Sequence, residues 1–266
     1  MRNENRFPKL FITDLDGTAL GGFSPYSRFP DVFSEFLDKL DKRGCKWATN
    51  TAWEAKDELD LIKGSSMKSI PAYVSGAVSL DLCILKDGKF ENVQPYTDIM
   101  QEKLEKVHCS CMNSFIKDIC SKFDSTFISY NKSWFSFTPK KEQVEELYAY
   151  IEEKYPDRSQ LTIQLVYEEK RIIALPAFLT KDVVVREISR LMELTPEDII
   201  VAGDQEMDLS MMTPDVAKYS ICPNNSVQAV KKRVLEMEGV VGSMDFAPGV
   251  VEAFGRLAKI NGWDWD

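Results

Sequence analysis

Histidine occurs once in this 266-residue chain, at position 108. A metal centre built on several imidazoles is therefore excluded, and any histidine chemistry rests on one residue. Positive charge is scarce as well. Lysine and arginine number 33 against 42 aspartates and glutamates, a formal net charge of −9. Such a surface repels nucleic acid and anionic membranes, so neither is an expected partner. It also repels a phosphorylated substrate unless the site supplies its own cations. No run of about 18 apolar residues occurs, so no membrane-spanning helix is expected. Met1 to Lys9 is polar and lacks the apolar segment of a secretory signal. On that reading Cys45, Cys83, Cys109, Cys111, Cys120 and Cys222 are reduced thiols of a cytoplasmic protein. Internal repeats and low-complexity segments are lacking too.

What is present suffices for a sizeable core: 44% apolar residues, with 15 Phe, 9 Tyr and 5 Trp. Leu10–Phe11–Ile12 reads as a buried strand ending at Thr13–Asp14, and Gly17 to Pro30 as a loop in which Gly21–Gly22 gives freedom. Phe33, Phe36, Leu37 and Leu40 form a helix face that Gly44 terminates. Lys46–Trp47–Ala48 and Ala72–Tyr73–Val74 are further strands, with a helix over 53–62 between them. From residue 82 the texture changes. Asp87–Gly88 predicts a hairpin turn, 98–122 a long polar helix, and 125–137 alternating strands around Asn131–Lys132. A helix with Val144, Leu147, Tyr148 and Ile151 on one face follows, then two strands over 161–175 around a solvated turn at 167–170. The α/β rhythm returns with a helix through Val184, Ile188 and Leu191, a strand over 198–202, a strand at 219–222 and a final helix from Gly249. The predicted architecture is a parallel α/β core in two pieces, residues 1–81 and 178–266, with an antiparallel α+β unit, residues 82–177, inserted between them.

Two core strands end in acidic clusters, Asp14–Leu15–Asp16–Gly17–Thr18 and Gly203–Asp204–Gln205–Glu206–Met207–Asp208. Ligands of open α/β sheets bind outside the carboxyl ends of strands, so both clusters are expected to face one crevice. Carboxylates that close repel one another unless a cation lies between them, and hard oxygen donors without His or Cys suit Mg²⁺. An aspartate beside such an ion can attack phosphorus and form an aspartyl-phosphate. Thr49, at a strand end, offers a hydroxyl to the phosphoryl oxygens and Lys181, at a helix start, a positive charge. His108, Cys109, Cys111 and Cys120 fit no standard zinc spacing and are read as packing or idle thiols.

Asp14–Leu15–Asp16–Gly17–Thr18 resembles motif I of the haloacid-dehalogenase (HAD) superfamily, with Thr49 at motif II, Lys181 at motif III and Gly203–Asp204 through Asp208 at motif IV. The resemblance spans nearly the whole chain. The position and hairpin–helix mixture of the insert are similar to the C2B caps of Cof-type and sucrose-phosphatase-like members. It implies a Rossmann-like core and a Mg²⁺-dependent phosphatase acting on a small phosphorylated metabolite, a sugar phosphate by preference. Asp14 would be nucleophile and metal ligand. Asp16 would be acid then base, its backbone carbonyl also ligating the ion. Thr49 and Lys181 would bind phosphate, Asp204 would be a ligand, and Asp208 would ligate or orient the metal shell. Two residues depart from the family pattern: Thr51 stands where Cof-type relatives often carry arginine, and Met207 where they often carry asparagine. Two alternatives stay open: a phosphomutase-type phosphotransferase, disfavoured because Arg158 and Arg171 are the insert's only arginines, and a non-catalytic ligand-binding protein of the same fold.

Overall fold

The computed structural model describes residues 6–21, 26–167 and 169–265. Gly22 of the glycine pair and Glu168 of the 167–170 turn lie outside the described residues. In chain order the strands are β1 (Leu10–Thr13), β2 (Lys46–Asn50), β3 (Tyr73–Gly76), β4 (Asp81–Lys86), β5 (Lys89–Asn92), β6 (Ser125–Tyr130), β7 (Phe135–Pro139), β8 (Leu161–Val166), β9 (Arg171–Pro176), β10 (Ile199–Ala202), β11 (Tyr219–Cys222) and β12 (Val240–Val241). The helices are α1 (Asp31–Lys42), α2 (Ala55–Gly64), α3 (Tyr96–Val107), α4 (Asn113–Lys122), α5 (Val144–Lys154), α6 (Lys181–Leu191), α7 (Gln228–Glu236) and α8 (Phe246–Asn261). The chain divides into two compact units, one running through Val93 and resuming at Thr180, the other Gln94–Leu179.

The first unit is built on an eight-stranded sheet of order β12-β11-β10-β1-β2-β3-β4-β5. Its strands are parallel from β12 to β3, and β3, β4 and β5 are antiparallel. Every residue of β1 and of β10 is buried, as expected of central parallel strands covered on both faces. Phe33, Phe36, Leu37 and Leu40 of α1 are buried at the spacing the sequence predicts. Phe11 of β1 meets Phe36 edge-on at 5.4 Å between ring centroids, and Phe33 and Phe254 at 6.5 Å. The final helix starts at Phe246, three residues earlier than its apolar pattern suggests.

The 82–89 hairpin forms, with Asp87 and Gly88 at φ 49° and 74° in the primed turn their sequence favours. It does not open the insert, however. Tyr73 to Gly76 of β3 pair with Asp81 to Ile84 of β4, so the hairpin extends the core sheet. The second unit therefore begins at Gln94 and ends at Leu179, where residues 82 and 177 were expected. Texture alone misleads here, because an antiparallel edge on a parallel sheet looks like the start of an antiparallel unit.

The second unit is a four-stranded antiparallel sheet of order β6-β7-β9-β8. Phe135, Phe137, Ile172 and Ala174 bury into one cluster with Phe115 and Ile119 of α4 and Leu147 and Ile151 of α5. A π-helical turn, His108–Met112, joins α3 to α4. Asn131 closes the β6–β7 turn by accepting the Ser133 and Trp134 backbone N–H groups, each at 2.9 Å. Among the described residues no helix is long and apolar enough to cross a membrane.

Phe11→Ala removes the ring on which α1 and α8 meet the sheet. We expect it to lower the stability of the first unit by about 3–5 kcal/mol, read from its urea unfolding transition. A change near zero would mean the aromatic cluster does not hold the helices to the sheet.

Candidate active site

Position in the sheet brings the acidic turns together. β1 lies between β10 and β2, with Thr13 level with Ala202 on one side and Thr49 on the other. The Asp14 N–H donates to the Ala202 carbonyl at 3.0 Å. Both turns thus leave the sheet at one height, at the point where the strand order runs outward in opposite directions.

Asp14, Asp204 and Asp208 are buried and offer carboxylate oxygens within 4.8 Å of one another. The buried Lys181 Nζ lies 2.6 Å from Asp14 Oδ1 and 2.5 Å from Asp208 Oδ1. Its backbone is held in place by Asn50, whose side-chain amide donates to the Lys181 carbonyl at 2.8 Å. Asp208 is engaged through both oxygens, since Oδ2 accepts the N–H groups of Asp204 at 2.8 Å and Gln205 at 2.9 Å. That geometry suits a residue that ties the turn and orients its neighbours. Asp14, Asp204 and Asp208 together form a cluster that could hold a cation. Two glycines make this close approach possible. A Cβ on Gly203 would fall 2.3 Å from Asp208 Cγ, and one on Gly17, at φ 78°, would fall 2.2 Å from Asp204 Oδ2.

Burial pushes the Asp14 carboxyl up to about 8, opposed by Lys181 and reinforced by Asp208 and Asp204. Burial also raises Asp204. For Lys181 burial works the other way, but Asp14 and Asp208 outweigh it and hold the ammonium above its ordinary range. One ammonium among three buried carboxylates leaves negative charge uncompensated, and the donors are all hard oxygens. The residues present therefore fit a divalent cation.

Asp16 stands apart from the buried cluster. Its side chain is exposed, and its Oδ2 accepts the Trp53 indole N–H at 2.5 Å. Any part it plays in holding an ion falls to its backbone carbonyl. Thr49 is fully buried beside the cluster, and its Oγ1 accepts the Ser75 N–H at 3.3 Å. Thr51, at the position of the expected arginine, is buried, and its Oγ1 accepts the Trp53 N–H at 3.4 Å. Met207 is half-buried and takes part through its backbone, its carbonyl accepting from Ser210 Oγ at 3.2 Å.

Sequence reasoning missed several supporting residues. Thr18 has no role that its place in the first cluster reveals, yet its hydroxyl donates to Asp204 Oδ1 at 2.8 Å and bridges the two acidic turns. Trp53 gave no signal beyond its nearness to Thr49. Asn225 donates to the Gly17 carbonyl at 2.7 Å, and its Oδ1 accepts the Phe246 N–H at 2.8 Å. A contact across that sequence distance has no local signature.

The family model described as sucrose-6F-phosphate phosphohydrolase matches residues 7–256. The chain belongs to this family. It is accordingly a HAD phosphatase. No curated protein matches it by sequence. Among solved structures, the sucrose-phosphatase of Synechocystis sp. PCC6803 in complex with sucrose and phosphate is similar at TM-score 0.68 and 14% identity, covering 97% of this chain and 100% of that one. A Thermoplasma acidophilum protein is similar at TM-score 0.66 and 15% identity, covering 97% and 99%. A haloacid dehalogenase-like hydrolase from Bacteroides thetaiotaomicron is similar at TM-score 0.60 and 15% identity, covering 94% and 99%. At these identities the likeness shows the fold: a mostly parallel core sheet with a separate antiparallel sheet.

A carboxyl raised in the folded chain contributes stability below its unfolded value and loses it as pH climbs through its folded value. For Asp14 that window runs from 3.8 to about 8. We expect the metal-free phosphatase to melt at lower temperature as pH rises through this window. A divalent cation should raise the melting temperature more at pH 8 than at pH 5. An equal rise at both would contradict a buried carboxylate site.

Proposed function

We propose that this phosphatase is a Mg²⁺-dependent phosphomonoesterase that hydrolyses a small phosphorylated metabolite, of the sugar phosphate class, through an aspartyl-phosphate. The observation that carries the proposal is the meeting of Asp14, Lys181 and the Asp204–Asp208 turn in one buried cluster, with the exposed Asp16 two residues after Asp14 on the same turn. The family name and the sucrose and phosphate bound in the Synechocystis relative support the sugar phosphate class.

In this reading Asp14 attacks phosphorus, and the bond from phosphorus to the ester oxygen breaks. Asp16, oriented by the Trp53 indole N–H, gives its proton to the departing alcohol. The resulting Asp16 carboxylate then takes a proton from the water that attacks the phosphoryl group, releasing inorganic phosphate and restoring Asp14. Lys181 and Thr49 hold the phosphoryl oxygens. Asp208 keeps Lys181 aimed at Asp14 and anchors the turn that carries Asp204. Asp14, Asp204 and the Asp16 carbonyl would hold Mg²⁺, which would supply positive charge to offset the negative charge of the phosphoryl group. Hydrolysis is favoured over transfer to a second phosphorylated sugar because the two arginines of the second unit are engaged there: Arg158 with Glu152 at 3.2 Å and Arg171 with Glu169 at 2.8 Å.

Asp14→Asn is expected to abolish Mg²⁺-dependent phosphate release from p-nitrophenyl phosphate and from a panel of sugar phosphates. Asp16→Asn should lower kcat by about 10²–10⁴-fold. Undiminished turnover by Asp14→Asn would overturn the proposal.

A further inference from the structure

Asn225, in the turn after β11, reaches the turn that carries Asp16. Its side-chain amide donates to the Gly17 carbonyl at 2.7 Å, and its Oδ1 accepts the Phe246 N–H at 2.8 Å. An amide suits both demands, with a donor on one side and an acceptor on the other. The same short segment holds the second acidic turn, since the Val227 N–H donates to the Asp204 carbonyl at 2.9 Å. Residues 225–227 therefore grip both acidic turns by their backbones.

Phe246 makes the far end of this grip rigid. It opens α8 at φ 54°, a left-handed conformation that an aromatic residue adopts only where its surroundings impose it. Its ring lies against Gly21, where an added Cβ would fall 2.0 Å from Phe246 Cγ. Asn224 supports the same corner. Its N–H donates to the Met244 carbonyl at 2.8 Å, and its side-chain amide donates to Asp245 Oδ1 at 3.0 Å. The turn over 17–21 is thus held at its first residue by Asn225 and at its last by Phe246. Its internal bonds, from the Gly17 N–H to the Leu20 carbonyl at 2.9 Å and from the Leu20 N–H to the Leu15 carbonyl at 2.8 Å, set its shape but not its place in the molecule.

The residue after Asp16 is the one that needs fixing. Gly17, at φ 78°, has no side chain to restrict its backbone. The Asp16 side chain is exposed, so buried packing does not fix it either. Movement at Gly17 would shift Asp16 relative to the buried Asp14. We propose that Asn225 is a positioning residue for Asp16: by holding the Gly17 carbonyl it keeps Asp16 where it gives its proton to the departing alcohol. The inference deepens the reaction proposed above and rests on the reading of Asp16 as proton donor. A misplacement of about 1 Å is enough to cost about a hundredfold in rate.

The readout is dependence on the leaving group. p-Nitrophenolate departs without a proton, whereas the more basic phenolate gains from one. kcat/KM covers the steps up to the aspartyl-phosphate, before Asp16 acts as a base, so the ratio between the two esters isolates proton donation. Asn225→Leu fills the space and neither donates nor accepts. Asn225→Asp keeps the acceptor for Phe246 and loses the donor to Gly17; its added charge acts on both esters alike and cancels in the ratio. Both variants are assayed in the full chain with Mg²⁺, beside Asp16→Asn. Each Asn225 variant is expected to lose at least about tenfold in kcat/KM on phenyl phosphate and under about threefold on p-nitrophenyl phosphate. Should Asn225→Leu fail to fold, Asn225→Asp decides. Asp16→Asn should show the same bias, and adding Asn225→Asp to it should leave the ratio unchanged. Equal losses on the two esters, or a ratio that falls further in the double variant, would overturn the proposal. A bias in Asp16→Asn with none in the Asn225 variants sinks the positioning role alone. No bias in Asp16→Asn sinks the proton donor and the proposal with it.

Discussion

An ammonium buried between two buried carboxylates is the constraint on which the site depends. Lys181 opens α6, Asp14 follows β1 and Asp208 closes the turn after β10, so one side chain joins segments 167 and 27 residues apart in the chain. Charges this deep are tolerable only when paired and hydrogen-bonded. Removing any one would leave the others buried without compensation, so the three positions specify one another. The apolar strands around them set the level at which they meet, and the Asn50 amide fixes the backbone of the lysine.

The same cluster answers a difficulty posed by composition. A chain of net charge −9 repels phosphate at long range. The site counters locally by concentrating carboxylates that call for a divalent cation and by burying one ammonium among them. Burial pushes the Asp14 carboxyl up to about 8, so binding of a cation that favours the carboxylate would be coupled to loss of that proton.

Much of this was legible in the sequence because it is carried by local patterns. Apolar runs that end in Asp14 and in Gly203–Asp204 mark strand ends, and the spacing of Phe33, Phe36, Leu37 and Leu40 marks a helix face. Asp87–Gly88 marked its turn correctly, but the turn says nothing about which sheet receives the hairpin, and that decision moved the boundary from residue 81 to Val93. Long-range hydrogen bonds were the other blind spot. Thr18 to Asp204, Asn50 to Lys181 and Asn225 to Gly17 join segments whose separation leaves no periodicity to read. The burial of Glu58 leaves no local signature either, since it depends on α2 packing against β3.

The central claim is that Asp14 receives a phosphoryl group beside a cation held by the two acidic turns. A crystal structure of the protein with Mg²⁺ and beryllofluoride tests it most directly. The account predicts beryllium bonded to an Asp14 carboxylate oxygen, Mg²⁺ between Asp14 and Asp204, and Lys181 and Thr49 on the fluorides. Beryllofluoride on another residue, or an ion bound away from these aspartates, would contradict it.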